Sequence, residues 1–434
     1  MKARFFELSE LLFKGLEGKE VLLCNFGGER SDFVRFNQAK VRQAGSVEQS
    51  AITLRLLRGQ RQASATVTGN EIEDLKSMLA RLRETLDALP DDPWLLINEK
   101  PQSTSSERRG VLAPAQSVVD SVVGKAKGHD LVGFYAGGTI YRGFANSLGQ
   151  RNWHEVDSFN FDWSLYREGD QAVKTSYAGF EWEERIFAEK VAAAAEQLVL
   201  LGKAKKQILP GEYRAYLAPR ALDELTGLLS WGGFSARARA TRQSPLLRMQ
   251  EGQRLSPKIY LFERTAEGLA PDFQSDGFVK PAAVMLMEGG ELRESLVSPR
   301  SAREYGLATN AANGGEAPEA LDLLSGDLKE VDVLAALDTG LYVSNLWYLN
   351  FSDRPAGRIT GMTRFATFWL ERGRLVAPVG PMRFDDSIYR MLGENLLDLT
   401  NDRELLLDPS TYEARSTSSA RLPGALLRSL RFTL

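Results

Sequence analysis

The stretch Asp338–Phe384 constrains the fold more than any other part of this chain. It reads DTGLYVSNLWYLNFSDRPAGRITGMTRFATFWLERGRLVAPVGPMRF. Aromatic and β-branched residues alternate with polar ones, and clusters of Gly, Pro and Asp interrupt them. A period of two is what a half-buried strand requires, because successive side chains point to opposite faces. The segment therefore predicts several strands joined by loops. Leu341, Val343 and Leu346 are apolar, with the amides of Asn345 and Asn350 near them. A loop over Ser352–Gly361 is expected next, then a strand over Met362–Leu370 and a hairpin-like turn at Glu371–Arg374.

The rest of the chain mixes both periodicities. Phe5, Leu8, Leu12 and Leu16 form a helical stripe, and residues 20–68 read as a meander of strands. A helix over Asn70–Leu89 buries Leu75, Leu79, Leu82 and Leu86. Pro90–Pro114, rich in Pro, Ser and Thr, is expected as a surface loop. A helix follows at Ala115–Lys127, then strands at Asp130–Gly137, Thr139–Ala145, Asn152–Trp163 and Ala172–Ala178, then a helix at Trp182–Leu200. The charged connector Gly202–Gln207 leads into Pro210-Gly211, which places a domain boundary between 1–205 and 206–434. The second part opens with strand Tyr213–Leu217 and helix Pro219–Trp231. Strands at Lys258–Phe262, Ala282–Met287 and Leu292–Ser295 precede the signature stretch. A helix at Asp385–Leu392 and a closing segment Ala425–Leu434 complete it. The fold class is α+β, two domains of mixed or antiparallel β-sheet with packed helices.

The 434 residues, 43% hydrophobic and 26% charged, suffice for a sizeable core. A net charge of −3 supplies no general basic field and argues against nucleic acid as a partner. The single cysteine, Cys24, rules out a disulfide within the chain and fits a reducing compartment. The amino-terminal segment carries acids and no long apolar core, and no run approaches the ~20 apolar residues of a membrane span. A cytoplasmic protein, not a membrane protein, is expected.

Candidate chemistry is sparse. The two histidines, His129 and His154, lie in the first half and are not spaced as a metal-binding pair. No nucleophile elbow, phosphate-binding loop or dinucleotide glycine pattern occurs. A zinc site built on His and Cys is therefore not available. On the helix after Pro219, Asp223 and Glu224 are adjacent acids, pointing about 100° apart. They read as a solvated acidic face with Leu222, Leu225 and Leu229 inward. The alternative is an all-carboxylate metal site completed by Asp322, Asp327 or Asp338. Arginines gather in three places: Arg237, Arg239, Arg242 and Arg248; Arg354, Arg358 and Arg364; and Arg415, Arg421, Arg428 and Arg431. They read either as solvated faces and ion pairs or as a surface for carboxylates, peptide carbonyls or phosphates.

The order Gly340-Leu341-Tyr342-Val343, Gly361, Thr363-Arg364, Phe368-Trp369-Leu370-Glu371, Gly373 resembles the TldD/PmbA family, whose PmbA branch is also called TldE and is often labelled "modulator of DNA gyrase". The likeness extends more loosely over 31–68 and 213–262. This chain departs from the family pattern at Phe365, usually glycine there, and at Phe384–Ser387. TldD-type members carry HExxxH on a helix near the start of the second half. Here Glu224 and Gly227 fall where that motif has them, and Asp223 and Leu228 occupy the histidine positions. The resemblance is therefore to the PmbA/TldE branch. It implies a non-catalytic chain without metal or cofactor, dimerising with itself or with a TldD-like zinc metallopeptidase that acts on peptides and unfolded proteins. It further implies peptide or partner contacts at Gly340, Tyr342, Asn345, Gly361, Arg364 and Glu371, with substrate added as a strand to an edge at Gly340–Leu349 or Met362–Leu370. An active peptidase with a carboxylate metal site, or a nucleic-acid-linked regulator, are the alternatives.

Overall fold

The structure, a computed structural model, describes residues 1–433. Its first sheet is built from β1 (Glu20–Asn37), β2 (Lys40–Arg58), β3 (Arg61–Thr68), β4 (Ser105–Arg108), β5 (Asp130–Asn146), β6 (Arg151–Tyr166) and β7 (Ala172–Gly179). The order is β3-β2-β1-β5-β6-β4, with β7 also paired to β6. Helices α1 (Lys2–Phe13) and α2 (Ile72–Ala88) cover the end near Leu22, Cys24 and Ile52. Helices α3 (Ala115–Lys125) and α4 (Glu184–Leu201) cover the end near Val34, Phe36 and Phe161. The stripe Leu75, Leu79, Leu82 and Leu86 is buried, as its helical spacing predicts.

Two expectations change here. The strands expected at 130–137 and 139–145 are one strand, β5, continuous through Gly137-Gly138. Gly138 has φ +145°, and a Cβ there would sit 2.1 Å from the carbonyl oxygen of Arg30, so glycine lets the strand run on unbroken beside β1. The expected loop 90–114 contributes β4, parallel to β6.

The second half forms two more sheets. One has the order β11-β10-β9-β12-β19-β18, from β9 (Leu261–Glu263), β10 (Val284–Glu288), β11 (Glu291–Leu292), β12 (Ala320–Leu323), β18 (Glu404–Leu407) and β19 (Ser419–Leu422). The other joins β8 (Gly211–Leu217), β13 (Gly340–Asp353), β14 (Arg358–Glu371), β15 (Arg374–Pro378), β16 (Arg383–Ser387), β17 (Leu396–Leu399) and β20 (Ala425–Phe432). Its order β13-β8-β20-β16-β14 closes on itself, because β13 also pairs β14. The closing segment was expected to reach Leu434, which lies outside the described residues.

The signature stretch is thus a long hairpin. The loop expected over 352–361 is mostly strand, and the chain reverses between Asp353 and Arg358. The turn at 371–374 is as expected: Arg372 (φ 48°) and Gly373 (φ 70°) both take positive φ, as a tight two-residue hairpin demands. The helix expected over 385–392 starts only at Ile388 and runs on as a π-helix over Arg390–Glu394, its first residues through Ser387 belonging to β16. Phe384 and Asp386 are buried alternately, and β16 fills the edge of β14 from Arg358 to Met362, so pairing overrides helix propensity. The halves share a core, because Ala366 and Phe368 of β14 pack in the cluster that contains α3 and α4.

Candidate functional site

Helix α5 (Pro219–Leu229) begins with Pro219 in its first turn, and the preceding Ala218 donates its N–H to Val343 O at 3.0 Å, tying the helix to β13. Leu222, Leu225 and Leu229 point inward, as their spacing predicts. Of its two acids Glu224 is exposed and Asp223 is partly buried. Asp223, Glu224, Gly227 and Leu228 together line a cavity of about 360 Å³, walled also by Leu349, residues 406–409 and residues 418–420. Burial in this wall pushes the Asp223 carboxyl up to about 6; the Arg220 guanidinium, 3.1 Å away, opposes the shift, and Glu224 and Asp408 add to it. Glu224, more open to water, is also raised by the surrounding protein. The expected solvated face holds for Glu224, which is exposed, and not for Asp223, which lies in a cavity walled by 406–409 and 418–420, something its periodicity could not reveal.

Arg220 also lines a second cavity of about 390 Å³, with Lys174 and Lys190 from the first half and Tyr216, Tyr342 and Arg403 from the second. The Tyr342 and Tyr216 rings lie 5.4 Å apart, and burial pushes the Tyr342 hydroxyl up to about 12. Tyr342 is the one expected contact residue on β13 that meets a cavity between the halves.

The other expected contact residues are scattered. Gly340 permits close strand approach, since a Cβ there would sit 2.2 Å from Arg214 O. Gly361 leaves room for the Phe384 ring and Leu349, which a Cβ would meet at 2.8 and 2.9 Å. Asn345 is buried and accepts from Ser344 Oγ at 2.7 Å. Glu371 accepts from Lys206 Nζ at 2.6 Å and from Trp369 Nε1 at 2.9 Å, fastening the β14–β15 turn to the connector. Arg364 stacks over Trp347 with its guanidinium 5.2 Å from the ring centre. Phe365 has φ +58°, a left-handed conformation that a bulky residue rarely takes and glycine takes freely.

Strand addition at the expected edges is not available along their whole length. From Arg358 to Leu370, β14 pairs with β13 on one side and with β16 and β15 at its two ends on the other. Leu341, Tyr342 and Val343 lie between β8 and β14. Among the described residues, the part of β13 without a second strand neighbour is 344–353. There Trp347 and Tyr348 stand exposed, their rings 5.4 Å apart.

The donors near α5 do not fit a zinc ion. His154 is buried in the first half, with Nδ1 2.7 Å from Ser106 Oγ and Nε2 3.0 Å from Leu269 O, and burial lowers its pKa. His129 sits at the turn into β5. Cys24 is fully buried under α1, its thiol pushed up to about 12. Asp322, Asp327 and Asp338, the carboxylates expected to complete a site with Asp223, do not line its cavity, and Asp322 pairs instead with Arg264 and Arg403. Among the described residues no group of three or more His, Cys, Asp or Glu side chains could hold a metal. Sequence reasoning missed Asp408, which reaches the site from far along the chain with no local signal. It also missed Arg220, three residues before Asp223 and therefore on the same helix face.

A family model described as the PmbA/TldA metallopeptidase C-terminal domain matches residues 210–434, more than half of the chain. The chain belongs to the PmbA/TldD family. Solved structures share the fold across nearly the whole length. TldE from Thermococcus kodakarensis is 15% identical with a TM-score of 0.80, over 99% of this chain and 100% of its own. A protein labelled a modulator of DNA gyrase from Thermotoga maritima is 14% identical with a TM-score of 0.79, over 99% of both chains. One with the same label from Bacteroides thetaiotaomicron is 15% identical with a TM-score of 0.78, over 100% of this chain and 98% of its own. At such identities the likeness is one of fold. No curated protein matches in sequence. The α+β architecture is thus that of the PmbA/TldD family, and no helix among the described residues is long and apolar enough to cross a membrane.

Proposed function

We propose that this PmbA/TldD family member is a non-catalytic, metal-less subunit of the PmbA/TldE type. It binds peptides or unfolded segments for a TldD-like zinc peptidase with which it dimerises in the cytoplasm. One observation carries this reading: the helix at the cavity wall brings Asp223 and Glu224 there with no histidine or cysteine among the lining residues, and the resemblance sets Asp223 and Leu228 against the histidines of the family's zinc motif. Zinc hydrolysis needs about three protein ligands, an open position for water and a general base. Of that set α5 keeps only Glu224, in the place of the base.

Peptide binding is supported by the surface that remains. The accessible part of the unpaired β13 edge, 347–353, offers backbone N–H and C=O groups, and Leu349 brings this strand to the wall of the α5 cavity. An extended segment added there is read chiefly through its backbone, which suits substrates of varied sequence. The six residues 340, 342, 345, 361, 364 and 371 then divide between shaping this sheet and lining its cavities.

The test is metal content after dialysis, together with cleavage of an unfolded protein, for the chain alone and mixed with a TldD-type protein from the same genome. The expected result is no stoichiometric metal and no cleavage alone, with cleavage in the mixture. About one zinc per chain, with cleavage lost in D223A or E224A, would replace this reading with that of a carboxylate-site peptidase.

A further inference from the structure

A cavity of about 580 Å³ shares Leu407, Asp408 and Pro409 with the α5 cavity but opens over the first sheet. Strand register builds its floor. Ser31, Gly138 and Ser158 lie side by side across β1, β5 and β6; four residues along, Arg35, Phe134 and Asp162 do the same. Even spacing puts both rows on one face of the sheet. The second-half segment 408–416 forms the roof, anchored by Gln49 Nε2 donating to Glu413 O at 2.6 Å.

Arg415 descends from that roof and is buried, 6% exposed. It donates to Gly138 O at 3.0 Å, Ser158 O at 2.7 Å, Ser158 Oγ at 2.8 Å and Ser31 Oγ at 3.3 Å, all of them neutral acceptors. Among the described residues no carboxylate lies within ion-pair distance of it. Glu29 is reached only through Ser31, whose hydroxyl donates to Glu29 Oε2 at 2.8 Å. Burial lowers the guanidinium to about 10, which leaves it charged at neutral pH. Arg35 and Arg42 line the same cavity, are exposed, and pair with no acid among the described residues. Two acids are present in the wall. Asp162 is held by Lys174 at 3.3 Å, and Asp408 accepts from Ser410 N at 2.9 Å. Asn160, two residues from Ser158 on the same face, is buried with its carboxamide oxygen unpaired.

We propose that this cavity takes the terminal carboxylate of a peptide, held by Arg35 and Arg42 beside the buried charge of Arg415, whose Nη groups stay committed to Ser31, Gly138 and Ser158, with the Asn160 carboxamide facing the backbone N–H of the last residue. This rests on the peptide-binding reading and adds a direction to it, because the carboxyl end is drawn to the arginine cavity. Guanidinium forks match a carboxylate bidentately. Two acids in the wall penalise a dianionic phosphate more than a monoanionic carboxylate. A purely structural clamp would account for Arg415, but not for Arg35 and Arg42, whose guanidinium groups bond to no protein group among the described residues.

The experiment is calorimetric titration of the full chain with an N-acetylated tetrapeptide bearing a free carboxylate, with the same peptide as its carboxy-terminal amide, and with inorganic phosphate and acetate. Losing a charge-assisted contact should weaken the amide by about tenfold or more. Because R415A removes buried hydrogen bonds and can fail to fold, the variant is R35A/R42A, whose side chains are exposed. It should abolish the preference for the carboxylate while keeping the melting temperature. Equal binding of acid and amide, or a preference that survives in R35A/R42A, overturns the site and leaves peptide binding standing. Phosphate binding tighter than the carboxylate peptide overturns the ligand assignment. Acetate binding that depends on Arg35 and Arg42, with neither peptide bound, upholds the carboxylate site and removes the peptide-binding reading.

Discussion

Replacing Asp223 with asparagine should stabilise the protein at neutral pH. In the folded chain, burial raises this carboxyl from 3.8 to about 6, even with Arg220 3.1 Å away. A carboxyl that is harder to ionise when folded favours folding below its unfolded pKa. That contribution is lost as pH rises from about 4 through about 6. At about 1.36 kcal/mol per pH unit, a gap of roughly two units amounts to about 3 kcal/mol. This is an upper bound, since the side chain is 25% open to water. D223N keeps the shape and an acceptor for Arg220 while removing the charge. Urea midpoints for both proteins, measured from about pH 4 to about pH 8, give the difference directly. The two curves should meet near pH 4, and D223N should gain up to about 3 kcal/mol at pH 8. A difference that stays flat with pH, or a less stable D223N at pH 8, would show that the Arg220 pair outweighs desolvation and that water fills the cavity.

Two substitutions probe how the halves and the hairpin are held. F368A empties a fully buried site in the core shared with α3 and α4 and should cost about 3–5 kcal/mol; faster proteolysis within 202–210 would accompany it, and a loss under about 1 kcal/mol would mean that the halves do not depend on this contact. G361A places a methyl against the Phe384 ring and Leu349 and should cost about 1–3 kcal/mol, read as a lower melting temperature.

Much of the fold is legible from spacing alone. The alternation in Gly340–Val343 and Phe368–Leu370 marks strands, and Leu75, Leu79, Leu82 and Leu86 mark one helix face, because burial on a single side imposes a period. The helix expected at 385–392 shows the limit of this reasoning. Phe384 and Asp386 lie in a strand because β14 offers an unfilled edge there, a condition set by residues elsewhere in the chain. The site is less legible still. Asp223 and Glu224 stand out as acids, but what surrounds them comes from 406–409 and 418–420, and nothing in those segments signals that contact.

Composition and pattern by themselves determined the α+β class, most element positions, the lack of an H-x-x-x-H pair, and the family resemblance carried by residues 340–373. These are properties of local spacing and of which side chains are present, and no folded neighbour can change them. Only the tertiary structure decided which strand edges remain open, that Asp223 faces a cavity, and that Arg415 crosses to the first sheet while Arg35 and Arg42 stand unpaired beside it. Each of these depends on contacts between segments far apart in sequence, where burial and charge are set by what packs opposite.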